Sequence, residues 1–222
     1  MHPDRRLVKL GPLAIALLAA CQSAPHDRAA VTADQMSDLR GTVIETKGRA
    51  ATAVDSLDAL VEGRGGQAKA VYEQFASDVD ATDAGIVRME NQLDSVRMKA
   101  QRQFDAWQAQ LPTITDASLR RRSSEHRLAL KRSLEDLEKA MSETSETMAP
   151  FVTQLRDARV YLSNDLSSEG MSSLRDAAAK IRGEKAGVEK ALDSFAATID
   201  ELEPKFRAAQ PMGTSRPAVA SN

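Results

Sequence analysis

The sequence predicts an all-α protein, an antiparallel bundle of three to four long helices with coiled-coil packing. Three observations carry that expectation. Only 4% of the 222 residues are aromatic while 28% are charged, the profile of long helices rather than of a compact mixed domain. Apolar residues recur every seven positions in four long segments, and no segment alternates with the period of two that a half-buried strand requires. The breaks between these segments are short, and short connections make consecutive helices antiparallel neighbours.

The N-terminal 20 residues read as a signal segment. Arg5, Arg6 and Lys9 form a basic head, Leu10 to Leu18 an apolar stretch, and Ala19-Ala20 the small residues before a cut. The apolar stretch is shorter than the roughly 20 residues needed to span a bilayer. It ends at Leu18-Ala19-Ala20-Cys21, which holds the chain's one cysteine and resembles the bacterial lipobox, in which the cysteine sulfur is joined to diacylglycerol before cleavage. Cys21 is then the lipidation site, and the expected localisation is the cell envelope. Gln22, rather than an aspartate, follows the cysteine, which favours the periplasmic face of the outer membrane in a double-membraned bacterium. Two or more acyl chains are needed for stable anchoring, and a triacylated cysteine supplies them.

Residues 21–34 are expected to form the lipidated cysteine and a flexible tether, since QSAPHDRAAVTAD has a proline and little periodicity. Residues 35–208 make the bundle, and residues 209–222 a disordered tail. In the first segment the apolar column is Met36, Val43, Ala50 and Leu57, with Val54 and Val61 alongside; Gly63-Arg64-Gly65-Gly66 closes it. The second carries Phe75, Thr82, Met89, Val96 and Gln103 beside Val79, Ile86, Leu93, Ala100 and Trp107, up to the break LPTITDAS. The third carries Leu130, Leu137, Thr144, Phe151 and Ala158 beside Leu134, Met141, Met148, Leu155 and Leu162, with Ser118 or Asp116 as its cap. Pro150 lies inside it and predicts a kink or a break, because it removes one backbone bond and crowds the carbonyl of Glu146. The fourth carries Leu174, Ile181, Val188, Phe195 and Leu202 beside Ala178, Lys185, Leu192, Ile199 and Phe206, after a turn in which Gly170 is expected to supply positive φ or freedom. A 3.5-residue period gives each helix one narrow seam that must meet partner seams.

The third segment also resembles a known family. SLRRRSSEHRL, Ala140-Met141, Met148-Ala149-Pro150, Arg156-Asp157 and Val160-Tyr161-Leu162 with Asn164 and Leu166 look like the central signature of the bacterial family catalogued as Domain of Unknown Function 2959. Tyr72 and Phe104-Asp105-Ala106-Trp107 are similar to the helix that precedes that signature, and the likeness covers roughly residues 42–202. It implies a secreted or lipid-anchored helical protein and carries no established activity.

Charge and composition narrow the function. Residues 1–20 hold three of the 30 basic and one of the 32 acidic groups, so the rest keeps a small negative balance and no wholesale nucleic-acid binding is expected. With Cys21 acylated and only His26 and His126 beyond the leader, a thiolate or zinc centre and a histidine triad are poorly supplied; no cofactor, metal or catalytic residue is expected. One cluster stands out: Arg120, Arg121, Arg122, Arg127, Lys131 and Arg132, with His126, open the third helix, and Arg97, Lys99 and Arg102 close the second. Cations at a helix N-terminus oppose the macrodipole, so helix stability does not explain them. They form a candidate anion-contacting tip for lipid head groups or an acidic cell-wall polymer, unless Asp94, Asp105, Asp116 and Glu125 neutralise it. With a first helix of about 27 residues and a second of about 45, that tip is expected to overshoot by roughly 27 Å toward the anchored end.

The expected function is a non-enzymatic, lipid-anchored envelope protein serving as a periplasmic spacer, scaffold or interaction surface. The alternative is a membrane-associated or chaperone-like helical module that binds lipid or client proteins through an open apolar seam. A homo-oligomer sharing the overhanging helix ends fits either reading.

Overall fold

The computed structural model describes residues 25–63 and 67–209, with the backbone alone for residues 25–30. The leader, Cys21 and most of the tail lie outside these residues. Helices α1 (Pro25–Val61), α2 (Ala68–Gln110), α3 (Ala117–Asn164), α4 (Ser168–Ser173) and α5 (Arg175–Ala208) follow one another, with a single 3-10 turn, Leu111–Thr113, between α2 and α3. No strand occurs among the described residues.

Polar contacts between helices set the topology. Gln35 donates to Ser95 at 2.9 Å and Arg49 reaches Asp78 at 3.1 Å, so α1 and α2 run antiparallel. Arg156 of α3 holds Asp83 of α2 with two hydrogen bonds of 2.6 and 2.7 Å, while near the other end of the pair Trp107 reaches Ser123. Gln154 binds Glu184, placing α5 antiparallel to α3. Lys47 binds Asp193 and Lys185 binds Asp55, closing α5 onto α1. The ring order is α1, α2, α3, α5, an up-down-up-down bundle with α4 bridging the α3–α5 turn.

The seven-residue columns face inward. Every position named for α3 is buried, as are Phe75, Val79, Thr82, Met89, Leu93, Val96, Ala100 and Gln103 of α2; Ile86 and Trp107 pack partly buried against the core. Of the ten positions named for the fourth segment, only Leu174, just before α5, and Lys185 within it are less than buried. α1 buries a second column that the apolar pattern did not reveal, Leu39, Thr46, Ala53 and Leu60. Two of its four members are small or polar, yet α1 meets both α2 and α5 and needs a wider face than a single seam.

Three expectations change. Of the tether expected over residues 21–34, the described part, from Pro25 onward, is helical, and Thr32 and Ala33 are fully buried. α1 has 37 residues and α2 43, so the length difference shrinks to about 9 Å at 1.5 Å per residue in place of the larger overshoot expected. Gly170 serves space rather than backbone conformation: among the described residues only Gly63 has positive φ, at 64°. A Cβ on Gly170 would lie 2.4 Å from Asp165 Cγ and 2.7 Å from its carbonyl oxygen.

Pro150 is accommodated without a break, since α3 is one helix of 48 residues, about 72 Å long. Pro204 lies inside α5 in the same way.

Candidate functional site: the basic tip of the α2–α3 hairpin

One end of the bundle gathers the start of α1, the α2–α3 turn and the end of α5. There the helices stop at different levels. α5 ends at Ala208, where Phe206 packs on Phe104 with ring centroids 6.0 Å apart and Lys205 reaches Ser133 of α3. The first 13 or so residues of α3 therefore extend about 20 Å beyond α5. The contact of Gln35 with Ser95 sets Pro25 level with about Asp105, so the last turn and a half of α2 has no α1 beside it.

The overhang is a two-helix hairpin with a small apolar centre. Leu111 is buried there, and Trp107 is half-buried, donating its indole N–H to Ser123 Oγ at 2.8 Å and meeting the His126 ring edge-on at 5.4 Å. Trp107 and Phe104 are thus packing residues, as their place on or beside the seam implied, and Met141 and Met148 are buried core. Asp116 caps α3: its Oδ1 accepts from the N–H groups of Ser118 and Leu119 at 2.8 and 2.9 Å and from Ser118 Oγ at 2.7 Å. The Ser118 hydroxyl, then these backbone donors, hold the Asp116 carboxyl below its ordinary range.

The tip brings the candidate residues together and leaves most of them exposed. From Arg97 to Arg132 there are nine basic residues against three acidic ones, in a chain whose net charge is −2. The expected neutralisation is partial. Asp94 pairs with Arg97 at 3.2 Å and Glu125 with Arg121 at 3.9 Å, and Lys131 lies 4.0 Å from Glu135. Asp116 is committed to its own helix end, and Asp105 accepts from the Gln101 amide. Arg120 donates to the Ile114 carbonyl and Arg122 to Ser118 Oγ at 3.5 Å, neither of which cancels charge. Lys99, Arg102, Arg127 and Arg132 have no carboxylate within 4.0 Å among the described residues. Arg127 is half-buried, with its Nε enclosed and without a hydrogen-bond partner; Gln103 Oε1, level with it across the hairpin, is also enclosed and unpaired.

Two further features belong to this end. An open hollow of about 550 Å³ lies between the 3-10 turn and the first turns of α3, lined by Leu111, Pro112, Arg120 and Arg121 among others. Met98, Leu119 and Leu128 project large apolar side chains into solvent between the cations, Met98 and Leu119 being 54% and 53% exposed. The sequence pattern had not singled out these three. The opposite end has the other sign: Asn164 to Asp176 contains Asp165, Glu169 and Asp176 against Arg175 alone.

Elsewhere, the acid whose burial the sequence did not reveal is Asp78. It is fully buried, 3.1 Å from Arg49 Nη1, and it accepts from the Gln74 amide at 2.7 Å. Among the described residues no group of three or more His, Cys, Asp or Glu side chains is arranged to hold a metal ion, and no helix is long and apolar enough to cross a membrane.

Fold and site together define an antiparallel four-helix bundle with one basic, overhanging end. The chain belongs to the family described as a protein of unknown function, DUF2959, whose model matches residues 19–206. No curated protein and no solved structure matches the chain significantly.

Proposed function

We propose that the protein is a lipid-anchored envelope protein in which a rigid helical rod acts as a spacer or scaffold, joined to the membrane through an acylated Cys21. The observation that carries this reading is that α1 begins at Pro25, four residues after Cys21. Acyl chains on that cysteine would be coupled almost directly to a bundle whose longest helix runs about 72 Å. The family match, which begins at Ala19, includes Cys21 and the start of that helix.

The continuous core suits a spacer. Phe75, Phe104, Phe151, Phe195 and Phe206 are all at most 1% exposed, and a rod filled in this way transmits position rather than enclosing a substrate. A chaperone-like module would present its apolar seam to clients, and these seam residues are spent on one another, so the spacer is favoured. Placement on the periplasmic face of an outer membrane follows from Gln22 beside the cysteine and belongs to the same proposal.

Intact-mass spectrometry of the processed protein, purified from its native membranes, tests the reading. The expected result is a chain starting at Cys21 that carries the mass of three acyl groups and a glycerol; a free thiol at Cys21 overturns it. Small-angle scattering of residues 21–222 carrying Cys21→Ser is expected to give a monomeric rod.

A further inference from the structure

The basic tip and the start of α1 lie at the same end of the bundle, which gives the cations a specific neighbour. We infer that the tip is a docking surface for the anionic phospholipid bilayer into which Cys21 is anchored, and that it stands the rod upright on that surface. The orientation rests on the anchored reading above; the affinity of the tip for anionic lipid does not.

Reach comes first. Pro25 is four steps along the chain from Cys21, so an acylated Cys21 holds the start of α1 within about 13 Å of the lipid. The hairpin projects beyond Pro25 by at least the five residues from Asp105 to Gln110, about 8 Å. A tip of that length fills most of the gap the anchor leaves.

Charge comes second. Lys99, Arg102, Arg127 and Arg132 have no carboxylate partner among the described residues, and Arg120 and Arg122 bind only neutral oxygens. Phosphate oxygens of head groups match the forked guanidinium donors; Arg120 and Arg121 border the open hollow together with Glu125, which pairs with Arg121 and leaves Arg120 as its guanidinium without a carboxylate partner. The acidic segment Asn164–Asp176 lies at the far end of the rod, so an anionic surface attracts one end and repels the other.

The apolar side chains come third. Leu119, Leu128 and Met98 stand between the cations, and a bilayer interface accepts both kinds at once. A second copy of the chain would also cover these apolar groups, but two overhangs side by side would bring two strongly basic tips within a Debye length of each other. Charge therefore selects the lipid surface over self-association.

The test uses the processed chain, residues 21–222 without the basic and apolar leader, carrying Cys21→Ser so that no acyl group contributes, in co-sedimentation with vesicles. Binding is expected to vesicles of phosphatidylglycerol mixed with phosphatidylcholine, to weaken steeply with added salt, and to be absent with phosphatidylcholine alone. Each basic residue near such a surface multiplies partition by about five-fold, so the reversal Arg120→Glu/Arg121→Glu/Arg122→Glu is expected to lower it at least about a hundred-fold. Acids in the first turns of a helix are favoured by its dipole, so the reversed chain should melt no lower than its parent. The neutral variant Arg120→Gln/Arg121→Gln/Arg122→Gln checks the effect without a new charge. Binding that survives the reversal, equal binding to phosphatidylcholine, or no binding overturns the inference. So does displacement by inorganic phosphate at matched ionic strength, which would assign the tip to a free anion. If Cys21 proves unacylated while the reversal still abolishes binding, the anchor fails and the docking surface stands.

Discussion

Gly85 offers the sharpest test of how closely α1 and α2 are packed. A Cβ at that position would lie 2.2 Å from Thr46 Oγ1, 3.0 Å from its Cγ2 and 3.1 Å from its Cβ, all on one residue of the facing helix. Thr46 is 1% exposed and donates its hydroxyl to the Thr42 carbonyl at 2.8 Å. Its branched side chain has little freedom to turn away, so the helices must part locally. Overpacking costs about 1–3 kcal/mol, and a 2.2 Å contact with a side chain that cannot turn away falls in the upper part of that range, about 2–3 kcal/mol; the replacement of glycine by alanine inside a helix returns about 1 kcal/mol. Gly85→Ala is therefore expected to lose about 1–2 kcal/mol net, a fall in Tm of about 2–8 °C for a chain of this size. In a Thr46→Ala background the oxygen and methyl contacts vanish and only the 3.1 Å contact remains. There the same substitution should be neutral or stabilising by up to about 1 kcal/mol, a coupling of about 2 kcal/mol between the two sites. Urea unfolding followed by circular dichroism on the four members of the cycle measures it. A stabilising Gly85→Ala in the parent chain, or a loss undiminished by Thr46→Ala, would refute the reasoning.

Other outcomes follow from the same structure. Arg49→Ala should destabilise more than Asp78→Ala, because the arginine side chain is 45% exposed and can return to water while the carboxylate is 0% exposed and cannot; the loss for Arg49→Ala is about 1–3 kcal/mol, reduced for that exposure from the value for a fully buried pair, and paired urea titrations compare them. Pro150→Ala should raise stability by about 1–3 kcal/mol, because an exposed position of an unbroken helix regains its backbone bond; a lower melting point would show that the core is built around the proline. Asp116 and Asp165 both have carboxyls held below the ordinary range, the first chiefly by Ser118 and the second by Ser167. A depressed acid stabilises the fold above its unfolded pKa, near 3.8, and that contribution is lost as pH falls through the lower folded value. Amide protection at the start of α3 should fall in that acidic window and become less pH-sensitive in Asp116→Asn, as hydrogen exchange would read.

Much of the bundle was legible because a coiled-coil seam is written in one helix at a time. Leu137, Met141 and Phe151, or Val188, Leu192 and Phe195, announce their inward face by spacing alone. The second column of α1 did not, since Thr46 and Ala53 carry little apolar signal and are small because α2 comes close. The helix over residues 25–34 was not legible, because this stretch shows little apolar periodicity and the burial of Thr32 and Ala33 comes only from its neighbours. Gly170 looked like a residue of conformational need, and only the folded turn shows Asp165 occupying the space where its side chain would be. The basic cluster itself was plain in Arg120-Arg121-Arg122, whereas its degree of neutralisation depended on where four carboxylates point.

By itself, then, the sequence determined the helical class, the inward faces of α2, α3 and α5, and the gathering of cations around one turn, all of which depend on periodicity and short-range spacing. Tertiary structure alone decided that α1 lies between α2 and α5, that Asp78 is enclosed, and how far the end of α2 and the start of α3 stand clear of their neighbours. These depend on the axial register between helices, which is set by how side chains from distant segments fit and which no single helix records.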